Sequence, residues 1–231
     1  MTDLHTILWK EITEAVDDRQ AFRGSLLQAA IVIVLTGIVV PLTDSTMWTD
    51  ISTVMMLYVV FPYTLAATIA ADAFAGERER GTLESLLASP VSDASIFVGK
   101  ATAAVALVLS VSITSLIVGL LIAFAMGRFP QPLVLQLVSG VFAGAVSGGL
   151  FVSALASLIS IRLAVARSAQ QMGSLITFCS AGLVVSILKR FGSGLSWHNI
   201  LFAESLLMGL GMIALLFGAK TFTRDRVFEQ R

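Results

Sequence analysis

The sequence predicts an all-α, polytopic membrane protein, with one transmembrane domain over residues 1–231 that contains six transmembrane helices. Apolar residues make up 56% of the chain and charged residues 13%, against about 45–50% and about 25% in soluble domains. Apolar runs recur along the chain, and several reach the length of about 20 residues that a membrane-spanning helix needs. We therefore expect the apolar excess to face lipid.

The first element is an N-terminal helix over residues 4–19. Leu8 and Ile12 fall on one face of this helix, and Lys10 and Asp17 fall on the other. Such an amphipathic pattern is typical of a helix that lies in the membrane interface and does not cross the bilayer.

Six apolar runs follow. Pro62 interrupts the second run and predicts a kink, because proline lacks an N–H and crowds the preceding turn. The kink would either line a transport pathway or serve helix packing. Cys179, the only cysteine, falls in the fifth run, where we expect a buried, inert thiol. The predicted spans are residues 24–42, 51–71, 96–126, 133–160, 169–188 and 200–219.

The fourth span carries two consecutive GxxxG steps, formed by Gly140, Gly144 and Gly148. Small residues at this spacing let two helix backbones approach closely, and such packing is a main source of helix association in lipid. The pattern predicts a tight seam with another helix, either within the subunit or between two copies of it.

The long polar interruption of the chain is residues 73–100. Lipid cannot solvate its charged side chains, so this stretch lies in water or against a partner protein. Leu83, Leu86 and Leu87 give one apolar edge at helical spacing. We therefore predict a short amphipathic helix at the membrane surface, over about residues 77–88, with its charges directed away from the lipid.

Local signals mark the ends of this surface helix. Gly76 and Gly81 make the backbone more flexible at its beginning. Ser89-Pro90 ends it, because the residue before proline avoids the α region. Ser92 is placed to cap the following span.

The distribution of positive charge predicts the orientation. Of the 15 Lys and Arg residues, 12 fall in the N-terminal segment, the polar stretch, the loop after the fourth span and the C-terminal tail. Positively charged loops remain on the cytoplasmic side. Both termini and the polar stretch are therefore predicted to be cytoplasmic, in the cell inner (cytoplasmic) membrane.

The polar stretch resembles a known loop. The run Gly76-Glu-Arg-Glu-Arg-Gly-Thr-Leu-Glu-Ser-Leu-Leu87, with Ser89-Pro90-Val91 and Gly99-Lys100 after it, is similar to the loop after the second span of ABC type-2 transporter permeases. Haem-exporter B subunits are a neighbouring family of similar layout. The resemblance implies that the surface helix is a coupling helix, seated in a cleft of a separate ATP-binding cassette subunit. The coupling residues that it implies are Glu77, Arg78, Glu79, Arg80, Gly81, Thr82, Leu83, Glu84 and Leu87.

The resemblance also implies the function and the partners. The chain would be the permease subunit of an ATP-driven exporter, paired with a second permease copy as a homo- or heterodimer. ATP and magnesium would bind to the partner subunit, so the chain itself needs no cofactor. The N-terminal helix would also touch the ATPase. Export of an amphipathic or lipid-like substrate is the direction that the family implies.

The residues point to no catalytic site. The chain has no GxxxxGK[ST] phosphate loop and no His, Cys and carboxylate cluster with metal-ligand spacing. Ser193 and His198 lie five residues apart, but no acid or oxyanion scaffold accompanies them, so a flexible polar loop explains them better. The net charge of zero gives no reason to expect nucleic acid as a partner.

Two acidic residues lie at or inside predicted spans, where a carboxylate needs a compensating group. Glu204 lies just inside the last span, where a carboxylate stays near the interface, pairs with Lys189 or Arg190, or faces a cavity on the transport pathway. The interfacial position is our main expectation. Asp72, at the end of the second span, is expected to pair with a local arginine such as Arg78.

Two other classes of protein remain as alternatives. An ion- or proton-coupled secondary transporter needs buried acids in mid-span and usually an internal repeat; Asp72 and Glu204 are poorly placed for this, and the two halves show no convincing repeat. A membrane-embedded enzyme would need the catalytic residues that the chain lacks.

Overall fold

Helices make up the regular structure of the described residues. This computed structural model describes residues 19–44, 47–49, 51–83, 91–128, 130, 134–163, 165–190 and 197–222. Every regular element in these ranges is helical, which confirms the all-α class. Residues 4–18 of the predicted interfacial helix lie outside the described residues, as does the tail beyond residue 222.

We number the six long helices of these ranges α1 to α6. Helix α1 comprises Arg19–Val32, a π-helical stretch at Ile33–Val39 and a last turn at Val40–Thr43, and a short 3-10 turn follows at Met47–Thr49. Helix α2 comprises Ile51–Met55, a π-helical stretch at Met56–Val60 and the segment Phe61–Arg80. The other four helices are α3 (Asp93–Ala125), α4 (Val134–Arg162), α5 (Ala166–Arg190) and α6 (Trp197–Thr221).

Five of these helices are long and apolar enough to cross a membrane. Their apolar segments are Gly24–Thr43, Thr53–Arg80, Asp93–Ala125, Val134–Arg162 and Asn199–Thr221. The chain is therefore a polytopic membrane protein. The predicted span at 169–188 coincides with α5, but most side chains beyond residue 182 lie outside the description, and this sixth span stays a prediction.

Helix α4 lies at the centre of the bundle. It packs against α2, α3, α5 and α6, while α1 packs mainly against α3. In the most apolar 18-residue stretch of each helix, 67% of the residues of α2 and 61% of those of α4 are buried within the protein, against 28% in α1. The inner pair α2 and α4 therefore carries the side chains that can form a site away from lipid.

Each proline in a span follows a stretch of wider, π-helical backbone. Pro41 comes after Ile33–Val39, and Pro62 comes after Met56–Val60. A proline ring crowds the carbonyl four residues before it, and a π-helical turn is a common way for a helix to accommodate such a disturbance. The π-helical stretch before Pro62 ends at Val60, and the kink predicted at Pro62 stays a prediction.

Cys179 does not lie in the core. Its side chain is exposed on the outer face of α5, next to the exposed Phe178, whereas Thr177 and Ser180 face inward. The prediction of a buried thiol was wrong because it rested on the burial preference of free cysteine in soluble proteins. Next to lipid, a weakly polar thiol is as well accommodated on the outer face as in the core.

Two aromatic clusters fill the two halves of the bundle. Near the end of α2, Phe74 stacks on Phe97 with ring centroids 6.1 Å apart, and Phe222 packs against both rings. In the other half, Trp48 stacks on Tyr58 at 6.0 Å. The side chains of each half are thus held by aromatic contacts that join different helices.

Candidate functional site

The predicted surface helix does not begin at Glu77. Residues 77–80 continue α2, which ends at Gly81 in the left-handed conformation, with φ of 70°. The N–H of Gly81 donates to the carbonyl of Arg78 at 3.2 Å, and the N–H of Thr82 donates to that of Glu77 at 3.0 Å. This pair of bonds is a Schellman motif, which closes a helix at a glycine.

The start of the predicted 77–88 helix is therefore wrong by at least four residues. Gly76 is tolerated inside α2, at a cost of about 1 kcal/mol relative to alanine, whereas Gly81 supplies the positive φ that ends the helix. Glu84 and Leu87 lie outside the described residues. Ser92 caps α3, and its Oγ accepts from the N–H of Ser95 at 3.3 Å.

Glu77 joins α2 to α3. The ammonium of Lys100 donates to its Oε1 at 2.7 Å, and the two side chains are only 13% and 2% exposed. Lys100 Nζ also lies 5.7 Å from the centre of the Phe74 ring, within the range of a cation–π contact. This ion pair is shielded from water and fixes the relative position of the two helices.

Arg78 joins α2 to the end of α4. Its two terminal nitrogens donate to the carbonyls of Ile161 at 3.0 Å and Leu163 at 2.8 Å. The last carbonyls of a helix have no partner within the helix and carry partial negative charge. The guanidinium satisfies two acceptors at this terminus and matches their sign.

Glu79 contacts the beginning of α5. Its Oε1 accepts from the N–H of Ala166, the first residue of that helix, at 3.0 Å. The free N–H groups at a helix N-terminus favour a negative charge. Consecutive residues of α2 therefore place a positive group at the end of α4 and a negative group at the start of α5.

Ser160 adds a contact between α4 and α2. Its hydroxyl donates to the carbonyl of Ala71 and accepts from the N–H groups of Phe74 at 3.3 Å and Ala75 at 3.0 Å. We call the set Glu77, Arg78, Glu79, Lys100 and Ser160 the charged end. It links α2 to α3, α4 and α5 through side chains of the described residues.

The charged end differs from the prediction in one respect. We expected its charges to face the cytoplasm, but Glu77, Arg78 and Glu79 contact other helices of the same chain. The expected pairing of Asp72 with a local arginine is present, with Arg80 as the partner at 3.1 Å. Arg78, the arginine given as an example, binds the carbonyls at the end of α4 instead.

Some of the described residues beside the charged end remain exposed. Glu79, Arg80, Gly81 and Thr82 are exposed, whereas Leu83 is 7% exposed and packs in the cluster of Phe74 and Phe97. Leu83 thereby anchors the segment that follows α2 to the bundle.

A second feature lies in the opposite half of the bundle. A cavity of about 40 Å³ lies between α2, α4 and α6, and Glu204 forms part of its wall. Glu204 is only 9% exposed. Glu204 thus lies in the wall of a cavity, which is one of its three expected surroundings. Its depth in the membrane stays a prediction, and the side chains of Lys189 and Arg190 lie outside the described residues. The residues that line this cavity are Met55, Val59, Val60, Tyr63, Gly144, Ile200, Ala203, Glu204 and Leu207.

The glycines of α4 make room for α2 at this cavity. Tyr63 donates from its hydroxyl to the carbonyl of Gly144 at 2.7 Å. A Cβ added at Gly148 would lie 1.8 Å from that hydroxyl oxygen, so alanine could not replace it without moving the ring. Gly140 is also buried. The close approach of α2 and α4 thus depends on glycine, within the subunit.

A similar contact joins α2 to α3. The hydroxyl of Tyr58 lies where a Cβ on Gly119 would be, at 2.2 Å from that position. Tyr58 and Tyr63 are the two tyrosines of the chain, and both place their rings against a glycine on a neighbouring helix. Sequence reasoning missed both residues and the role of Lys100, although a tyrosine pair and a lysine in apolar runs are detectable signals.

Other predicted positions fall away from both features. Pro62 is buried in α2 beside Tyr63 but does not line the cavity. Ser193 lies outside the described residues, as does the side chain of His198. Within the described ranges, no group of three His, Cys, Asp or Glu residues could hold a metal ion.

Comparison with known proteins gives the family. The model of the family described as "ABC-2 type transporter" matches residues 2–183, which include the whole charged end. No curated protein matches the chain. The resemblance to haem-exporter B subunits is not tested by this match. Because the family model covers most of the sequence, the chain belongs to the ABC-2 type transporters and is a permease component of an ABC transporter.

Proposed function

We propose that this permease couples ATP hydrolysis by a separate ATP-binding subunit to export of a substrate across the cytoplasmic membrane. Two permease copies and two ATP-binding subunits would form the working complex, with both termini of the permease in the cytoplasm. The ATP-binding subunit would dock beside the charged end. The family and the excess of positive charge at that end support this arrangement.

The observation that carries the proposal is the set of contacts made by Glu77, Arg78 and Glu79. These consecutive residues bind Lys100 of α3, the last carbonyls of α4 and the first N–H of α5. A displacement of the segment that follows Gly81 would therefore act on four helices together. Closure of the ATP-binding subunits could then exchange two packing arrangements of the spans, as in other rigid-body transitions.

Cross-linking tests the docking surface. In a Cys179→Ser background, which removes the only native thiol, Thr82→Cys should form a cross-link with a bifunctional thiol reagent to the ATP-binding subunit encoded beside this chain. The matched control is Thr43→Cys. This exposed threonine is the last residue of α1 and is predicted to lie on the other side of the membrane from Thr82. A cross-link at residue 43 and none at residue 82 would contradict the proposal.

Coupling is tested with the two neighbouring arginines. Arg78→Ala removes both bonds to the end of α4 and should lower the permease-dependent ATPase rate by about tenfold, if a charged hydrogen bond contributes about 1.5–3 kcal/mol to coupling. Arg80→Ala removes only an exposed ion pair within the chain and leaves the bonds to α4 intact, so it should lower that rate less than Arg78→Ala does, even though Arg80 lies on the exposed surface where the ATP-binding subunit would dock. Pulldown of the ATP-binding subunit by both variants shows that assembly is intact. Equal rates for the two variants would contradict the proposed transmission.

The buried Glu204 favours one alternative, a proton-coupled transporter. A carboxylate in a cavity of the span region is a common element of proton pathways. Transport that persists after ATP depletion and stops with an uncoupler would favour this class. Transport that stops with ATP depletion in the presence of an imposed proton gradient would support the ATP-driven exporter.

A further inference from the structure

The cavity around Glu204 has an apolar wall with a single acidic group. One face of α2 contributes Met55, Val59 and Val60, and one face of α6 contributes Ile200, Ala203 and Leu207. These side chains give the wall no hydrogen-bonding group. A concave, mostly apolar site with few polar groups is the usual form of a small-molecule site.

The carboxylate of Glu204 has unused binding capacity. Its Oε2 is buried and forms no hydrogen bond with the part of the chain that the structure describes. The nearby hydroxyl of Tyr63 is already bound to the carbonyl of Gly144, at 2.7 Å. The described residues also form no ion pair with Glu204. An acidic group that is more than nine-tenths buried and lines a cavity without a partner is available to a ligand.

The size of the cavity depends on a glycine next to the carboxylate. A Cβ added at Gly144 would lie 3.1 Å from Oε1 of Glu204 and 2.9 Å from a methyl group of Val59. An alanine at this position of the cavity wall would therefore push Val59 and the carboxylate of Glu204 out of their present positions. The cavity volume of about 40 Å³ exceeds the roughly 10–15 Å³ that one water molecule requires.

Structural stability does not explain this arrangement. A buried ionised group without a partner destabilises a fold, and an apolar residue of similar volume is often neutral or stabilising in its place. Glu77, in the same protein, shows the paired alternative, because Lys100 donates to it at 2.7 Å. Among the described residues Glu204 has no such partner, so a cation supplied by a ligand would complete the site.

We propose that this cavity binds the protonated amine of an amphipathic substrate. The ammonium would donate to Oε2 of Glu204, and the ring of Tyr63 in the wall would add an aromatic surface for the cation. The apolar side chains of α2 and α6 would contact the alkyl part of the ligand. This inference rests on the proposed function as a permease and adds the chemical class of the transported molecule.

The test measures binding to the full chain alone, in phosphatidylcholine nanodiscs without ATP. Butylammonium is the probe and butanol is its uncharged analogue, and isothermal titration calorimetry gives the affinity of each. Glu204→Gln should weaken butylammonium binding by about tenfold or more, because it removes a charge-assisted hydrogen bond. Butanol binding should not change. Glu204→Asp, which keeps the charge, should retain preference for the amine over the alcohol.

Several results of these titrations would overturn the proposal that the cavity binds an amine. Absence of butylammonium binding, an unchanged affinity in Glu204→Gln or an equal loss for both probes would overturn the proposal. Gly144→Ala narrows the cavity and should weaken both probes, and an unaffected affinity would place the binding site elsewhere. If Glu204→Gln does not fold, Glu204→Asp and Gly144→Ala still give these readings.

An infrared difference spectrum separates a bound amine from a bound proton. Binding of butylammonium should leave the carboxylate band of Glu204 in its ionised form, and the band should be missing in Glu204→Gln. A protonated acid in the bound state would overturn the proposal in favour of a proton site. Because no ATPase is present, failure of ATP coupling leaves these results unaffected, and failure of amine binding leaves the coupling proposal unaffected.

Discussion

Glu77 and Glu204 are two shielded carboxylates in very different surroundings. Glu77 meets the ammonium of Lys100 at 2.7 Å in a region where neighbouring charges also have partners. Glu204 lies in an apolar cavity and forms no ion pair with the described part of the chain. The comparison separates acids that hold helices together from an acid that remains available.

The helix termini explain why the charged end needs several charges. Arg78 satisfies carbonyls at the end of α4, and Glu79 satisfies an N–H at the start of α5. Both signs match the partial charges of those termini. Around the cavity, by contrast, α2 and α6 contribute mostly apolar side chains, so the wall offers Glu204 no charge of opposite sign.

The largest expected effect on stability is at Lys100. Lys100→Met keeps the approximate length of the side chain and removes the cation that donates to the shielded Glu77. Loss of one partner of such a pair typically destabilises a protein by about 3–5 kcal/mol. The measurement is the free energy of unfolding of the purified chain in detergent. A loss below about 1 kcal/mol would show that the pair is not a structural link and would break the comparison.

The double variant Lys100→Met with Glu77→Gln is the control for this effect. Removing both charges should restore most of the lost stability, since a buried pair replaced as a unit is often close to neutral. The coupling energy of the double-mutant cycle then reports the pair itself. Additive losses would mean that the two side chains act independently.

A smaller loss is expected where α2 and α4 meet. Gly148→Ala would place a Cβ 1.8 Å from the hydroxyl oxygen of Tyr63 and 2.2 Å from its ring, so the ring must move. Overpacking of this kind destabilises by about 1–3 kcal/mol. The control is Gly209→Ala on α6, which meets nothing within 4 Å and should be neutral or slightly stabilising. Equal stability of the two variants would argue against a glycine-dependent seam.

Much of the fold could be predicted from local sequence. Apolar runs located five helices that are long and apolar enough to cross a membrane. The glycine spacing of α4 pointed to a close helix contact, and the structure gives Tyr63 as one partner. Ser92 caps α3 as its position before Asp93 indicates. These features depend on residues close in sequence, so local rules describe them well.

The candidate sites depend on distant residues, and there the predictions were weaker. Glu77 and Lys100 are 23 residues apart, and Arg78 reaches a carbonyl 85 residues away. Sequence periodicity assigns such charges to the solvent, because it contains no information on which helix ends lie nearby. For the same reason the sequence left three surroundings open for Glu204, and only the packing of α6 against α2 and α4 shows that it faces a cavity.

Substitution of Glu204 should not lower the free energy of unfolding, in contrast to substitution of Lys100. Glu204→Gln leaves no cation without a partner among the described residues, and it removes a charge from an apolar cavity. We expect stability within about 1 kcal/mol of the unchanged chain, or above it. The same unfolding measurement applies, without amine ligand. A loss as large as that of Lys100→Met would mean that Glu204 is a structural link like Glu77.

The smallest effect is expected at Arg80, which marks the outer limit of the charged end. Its ion pair with Asp72 is 3.1 Å long, but the two side chains are 44% and 31% exposed. Such pairs contribute about 0–1 kcal/mol and weaken further in salt. Arg80→Gln should therefore change the unfolding free energy by less than Arg78→Gln does at every salt concentration. Equal losses would mean that solvent exposure does not distinguish charges that join helices from charges on the surface. The distinction between Glu77 and Glu204 would then need another physical basis.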